Sequence, residues 1–138
     1  MAFEPLQLLA LVQDVARYPE FMPGCIAATV TPIDGERVQA GLCFKFAGLT
    51  ESFLTENMVT PMPQGSISLN MKLLRGPFKS LVGVWHFQPL GQGACKVSLI
   101  VELDWGLLSF GRLLGPQLDR AIGTVMQAFT QRAGQIYV

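Results

Sequence analysis

The chain has 138 residues, half of them hydrophobic and 14% charged, with ten Lys and Arg balancing ten Asp and Glu. That length suits a single domain (1–138), able to bury roughly 70% of its unfolded surface. Zero net charge excludes the clustered basic footprint of a DNA-binding surface, and no apolar run nears the ~20 residues that span a bilayer as a helix.

The low charge is itself informative, since about 25% is ordinary for a globular domain. Either the core is unusually large, or apolar surface faces a ligand, a partner or a membrane. Glu4 and Asp14 precede the first basic residue, Arg17, so the N-terminus lacks the pattern of a signal or transit peptide and a cytoplasmic location is expected. Cys25, Cys43 and Cys95 show no CxxC spacing and read as buried filler rather than metal ligands or nucleophiles.

Pro5 suits a first helical turn, and Leu6, Leu9, Val12 and Val15 or Ala16 follow at helical spacing. Pro19 and Pro23 push Tyr18 and Met22 toward extended backbone, so a regular helix stops by Arg17. Tyr18, Phe21 and Met22 then form an apolar knob on a corner, a candidate membrane or partner contact. The competing reading tucks the same corner into the core.

After the corner the period changes to two. Val38, Ala40, Leu42, Phe44 and Phe46 alternate with polar or small residues, as do Ile67, Leu69, Met71 and Leu73, and then Cys95 through Trp105 apart from Ile100. One apolar face at period two is the half-buried antiparallel strand. Turn residues at Asp34-Gly35, Pro61 to Gly65, Arg75-Gly76-Pro77 and Gly91 to Gly93 divide the region into about six strands in a meander. From about Leu107 the period returns to 3.6, with Leu114, Leu118, Ile122, Val125, Met126, Phe129, Ala133 and Ile136 on one stripe. Gly115-Pro116 should kink or restart this helix, with Pro116 in the first turn; residues 117–134 are expected to be helical. An α+β domain follows, in which a curved antiparallel sheet and a long C-terminal helix bury their apolar faces together.

Such an arrangement can leave a cavity between sheet and helix. Its candidate lining is Phe44, Phe46, Phe53, Met71, Leu73, Trp85 and Phe87 from strands and Val125, Met126 and Phe129 from the helix. Trp85 and Phe87 share a face with Leu81 and Gly83, which leaves His86, the only histidine, on the outer side. Glu51 and Glu56 fall on opposite faces of one strand and cannot pair as catalysts. No metal-ligand spacing, phosphate loop or nucleophile motif is present. An enzyme would have to work through Tyr18, Glu51, Asn57 or Asn70, so no catalytic residue, metal or cofactor is assigned.

Four segments carry a family resemblance; one of them, Ala94-Cys95-Lys96-Val97, is similar to the start of the family's last strand. Leu11-Val12-Gln13-Asp14-Val15 leading into Tyr18-Pro19-Glu20-Phe21-Met22-Pro23-Gly24-Cys25 resembles the signature of the coenzyme-Q-binding START-like family. Leu73 to Leu81 followed by Trp85-His86-Phe87-Gln88-Pro89-Leu90 is similar to its central hairpin, and Ala128 to Ala133 with Tyr137 is similar to the end of its last helix. The resemblance implies a helix-grip fold of the START/Bet v 1 kind within the polyketide cyclase/dehydrase-like group. It implies ubiquinone or a similar lipid as bound ligand, with aromatics stacked on the head group and a role in delivery or use of quinone in respiration. It equally implies the alternative carried by RatA-type members, toxins that associate with the large ribosomal subunit and block subunit joining; a small cyclase is a third. Lipid loading would bring peripheral contact with the inner face of the cytoplasmic membrane. Members normally carry a full strand before the first helix, and here only Met1 to Glu4 precede Pro5, so the first strand is expected to be short or missing. The strands starting at Cys25 and Ala94 should then have less cover on their edges.

Overall fold

The computed structural model describes residues 3–46, 49–76, 79–91, 93–104 and 110–137, with the backbone alone of Phe46, Leu49, Leu103 and residues 110–119. Helix α1 (Pro5–Gln13) and a 3-10 helix (Val15–Glu20) lead into six strands: β1 (Cys25–Pro32), β2 (Arg37–Phe46), β3 (Leu49–Pro61), β4 (Ile67–Arg75), β5 (Ser80–Gly91) and β6 (Ala94–Asp104). Helix α2 (Phe110–Ile136) closes the chain. The strands form one antiparallel sheet in the order β1-β2-β3-β4-β5-β6. Its two edges are β1 and β6, the strands for which reduced cover is expected. Trp105, expected as the last residue of β6, lies outside the described residues.

Register makes one apolar face. Ala40 faces Thr55, which faces Leu73; Leu69 faces Trp85, which faces Leu99; Ile67 faces Phe87, which faces Val97. These positions point inward because side chains alternate along a strand. His86, opposite Ser68 and Ser98, points outward as expected, and so does Ile100, whose 65% exposure explains why it broke the alternation. Gly83 faces Met71, and a β-carbon there would lie 2.6 Å from the Met71 Cε. The glycine is thus the space into which Met71 folds.

Two local expectations are corrected. Helix α1 buries Leu8, Leu9, Leu11 and Val12, while Leu6 is 70% exposed, so the apolar stripe is rotated away from Leu6. The chain also stays helical, in 3-10 form, through Tyr18 and Pro19 instead of turning extended at Tyr18. A 3-10 turn accepts this because Phe21 and Met22 donate main-chain bonds to the Tyr18 carbonyl at 3.2 and 2.8 Å, and proline's own missing N–H leaves no orphan in so short a helix. Gly24, at φ +82°, then takes the left-handed turn that starts β1.

Helix α2 runs from Phe110 through Pro116 without restarting there, which corrects the placement of Pro116 in a first turn. Losing one main-chain bond is tolerated in a helix of 27 residues. The C-terminal half of α2 buries Ala128, Phe129 and Ala133 in the same core as α1. Glu4 ties the start of α1 to the β5–β6 turn, its Oε1 accepting from the Gly93 amide at 2.6 Å. At the other end Tyr137 donates its hydroxyl to the Gln7 carbonyl at 2.9 Å.

Candidate functional site

The inward face of the sheet is closed at one end and open at the other. At the closed end Leu69, Trp85, Phe87 and Cys95 are buried against α1 and α2. Phe129 is the hub: its ring lies 5.3 Å from Trp85, 5.4 Å from Tyr18 and 5.5 Å from Phe21, edge-on in each case. Edge-to-face contacts at this spacing add to the area term that holds the core. Toward the other end, Leu42, Phe44, Phe53, Met71, Leu73, Leu81 and Val101 point inward by register yet are only half-buried. Phe44 and Phe53 stack there with centroids 5.7 Å apart and planes 7° from parallel.

Between the two ends sits a polar pair. Thr55 and Asn57 are inward on β3, 5% and 7% exposed, with Asn57 opposite Val38 and Met71. The Thr55 hydroxyl donates to the Asn57 Oδ1 at 2.8 Å, while the Ala40 carbonyl is at 3.5 Å. The Asn57 Nδ2 makes no hydrogen bond among the described residues. The Asn57 Nδ2 is not among the fully enclosed unpaired atoms, so it opens onto the space before the apolar wall and can donate to what enters there.

The expected lining therefore divides. Phe44, Phe53, Met71 and Leu73 occupy the half-buried end, and Val125 and Met126 are half-buried on α2. Trp85, Phe87 and Phe129 do face inward, but aromatic neighbours fill the space around them. They form the closed floor instead of an open wall. The side chain of Phe46 lies outside those described. Of the polar pair, Asn57 was among the polar candidates of the sequence, whereas Thr55 was missed, since a lone threonine in a strand carries no signal of its own.

The corner residues are also corrected. Tyr18 is 7% and Met22 4% exposed, so they are not an apolar knob available to a membrane or partner. The Tyr18 hydroxyl donates to the Val12 carbonyl. Burial, reinforced by Cys25 and Asp14, raises its pKa far above the ordinary phenol value, so it is a lock on the corner and a poor proton donor. Phe21 is half-buried beneath the Arg132 guanidinium. Nor do the four candidate catalytic groups converge. Glu51 is exposed at the rim opposite Phe44, Asn70 is on the outer face beside Thr60, and Tyr18 is locked away.

A shallow groove of about 280 Å³ lies on the outer face of β1–β3, where Thr29, Gly41, Cys43, Ser52, Leu54 and Arg75 line it. It is separated from the inward face by the sheet. No group of His, Cys, Asp and Glu able to hold a metal occurs among the described residues.

Residues 1–130 match the model of the polyketide cyclase/dehydrase and lipid transport family. The chain belongs to that family. It is similar to proteins named ribosome association toxin RatA, being 39% identical over 130 residues to that of Pseudomonas aeruginosa (94% of this chain, 88% of the relative). It is 37% identical over 137 residues to that of Vibrio cholerae (99% and 92%). A third relative, coenzyme Q-binding protein COQ10 homolog B, mitochondrial, of Xenopus laevis, is 27% identical over 141 residues (99% of this chain, 56% of the relative). Among solved structures, the Zhui aromatase/cyclase from a Streptomyces species has a TM-score of 0.80 at 12% identity (99% and 90%). A START superfamily protein of Mycobacterium smegmatis has 0.78 at 18% identity (99% and 93%). These likenesses fix the family fold as helix-grip. No helix among the described residues is long and apolar enough to cross a membrane.

Proposed function

We propose that this family member binds a long apolar lipid of the polyprenyl quinone class, ubiquinone above all, between the half-buried end of its sheet and α2, and supports quinone delivery or use in respiration. The observation that carries the reading is the step in burial along one apolar face, from the closed Trp85–Phe87 end to the half-buried Phe44–Phe53 end. An apolar wall left incomplete on the inner side of a curved sheet is stabilised by a ligand that completes it. Each buried methylene of an isoprenoid tail contributes about 0.8 kcal/mol, so a few units suffice without a charged contact. The names of the Xenopus relative and of the family itself support the reading. Loading would occur by peripheral contact of the open rim with the cytoplasmic membrane, not by the buried corner.

A second reading, association with the large ribosomal subunit, is favoured by the names of the relatives at 37 and 39% identity. The zero net charge speaks against an interface dominated by RNA phosphates. Such an association would run through ribosomal proteins. Turnover is not proposed for either reading.

The test is organic extraction of the purified protein with mass-spectrometric detection of quinone, alongside co-sedimentation with large ribosomal subunits. Stoichiometric quinone that falls away in Phe53→Lys supports the first reading. A quinone-free protein that sediments with subunits replaces it with the second.

A further inference from the structure

Resting on the lipid-binding reading, we infer that Asn57 is the head-group donor of this site and that the ligand it selects is a neutral lipid whose head carries a carbonyl acceptor. The geometry has three parts. Asn57 as a residue is more than nine-tenths buried, on the inward face, next to the half-buried apolar wall, with its Nδ2 not fully enclosed. The Thr55 hydroxyl holds Oδ1 at 2.8 Å, which fixes the amide plane and leaves the Nδ2 protons without a partner among the described residues. A ligand oxygen arriving beside Met71 and Val38 would accept from that Nδ2, and its apolar tail would lie toward Phe44, Phe53 and Leu73.

The sign of the head group follows from what the wall lacks. Among the described residues, the inward positions of the six strands carry no Lys or Arg. On α2, Arg120 is exposed and Arg132 is turned to Glu20. A carboxylate or phosphate head would therefore be buried with no counter-charge among the described side chains, at heavy desolvation cost. A quinone or ketone oxygen needs one donor and no cation, which is what Asn57 supplies. Thr55 acts through Asn57 and is a positioning residue.

The experiment measures binding of three probes to the full chain: a short-tailed ubiquinone, palmitate, and an isoprenoid hydrocarbon without a carbonyl. The wild type is expected to bind the quinone more tightly than the hydrocarbon and palmitate least. Asn57→Leu should weaken the quinone roughly tenfold, the worth of one hydrogen bond to a neutral group, and leave the hydrocarbon within about twofold. Asn57→Ala, which cannot overpack the wall, serves if the leucine variant does not fold. Thr55→Val should reduce the preference for quinone over hydrocarbon in the same direction by less, a selectivity that a merely structural role would not move. Equal losses for both probes, no loss for either, or palmitate as the tightest ligand would overturn the assignment while leaving the cavity standing. A wild type that binds none of the three overturns the cavity along with it.

Discussion

The guanidinium carbon of Arg132 lies 5.1 Å from the centre of the Phe21 ring, and its Nη2 donates to the Glu20 Oε1 at 3.2 Å. One side chain on α2 thereby clamps the proline corner, 112 positions earlier in the chain. Phe21 also touches Tyr18 and Phe129, so the clamp closes over the aromatic hub of the core. The Tyr-Pro-x-Phe string is thus a fastening between the first helical segment and the last.

Replacing Arg132 with Met keeps the stem packing and removes the charge. The guanidinium is largely buried, but its Nε has no partner among the described residues and Glu20 is half exposed. A net loss of about 1 kcal/mol is expected, measured by urea denaturation. A loss above about 3 kcal/mol would mean that the pair behaves as a buried ion pair.

Tyr18→Phe should cost about 1–2 kcal/mol, since the Val12 carbonyl loses its donor in a buried place. The same phenol sets an alkaline limit. Its folded pKa is raised by burial, so the folded state holds the proton more tightly than the unfolded chain. Stability is therefore full below the ordinary tyrosine value of about 10 and declines as pH rises beyond it. Denaturation midpoints between pH 8 and about 11 should fall in the wild type and fall less steeply in Tyr18→Phe.

The step in burial along the inward face predicts a separation of stability from binding. Phe87→Ala, at the closed end, should cost about 3–5 kcal/mol. Phe53→Ala, at the half-buried end, should cost well under half of that and yet reduce bound lipid. Met126→Lys should behave like Phe53→Ala in lipid content. Thermal melting and lipid extraction on the same samples decide the matter, and parallel losses of both at both ends would remove the distinction.

The three thiols should react at two rates. Burial raises the pKa of Cys25 and Cys95, and both are buried, whereas Cys43 is half-exposed in the outer groove. A maleimide should label the native protein once, quickly, and the fast phase should vanish in Cys43→Ser. Fast labelling of a second thiol would show that one buried site opens readily.

The periods of the sequence determined the order of the elements and the faces of the sheet, because alternation along a strand is a local property. Trp85 and Phe87 share the inward face and His86 takes the other for that reason alone. What periodicity does not carry is which one-sided surfaces meet. For Tyr18 and Met22 the sequence left open an exposed knob or a corner tucked into the core; both are buried, Tyr18 against Phe129 of α2. Pro116 read as a helix start, yet α2 continues through it. Asn57 read as one of four scattered polar candidates, and only the sheet register set it beside Thr55 on the inward face, next to the half-buried wall. These outcomes depend on contacts between residues far apart in the chain, whose energy is settled by packing and desolvation, not by any local preference.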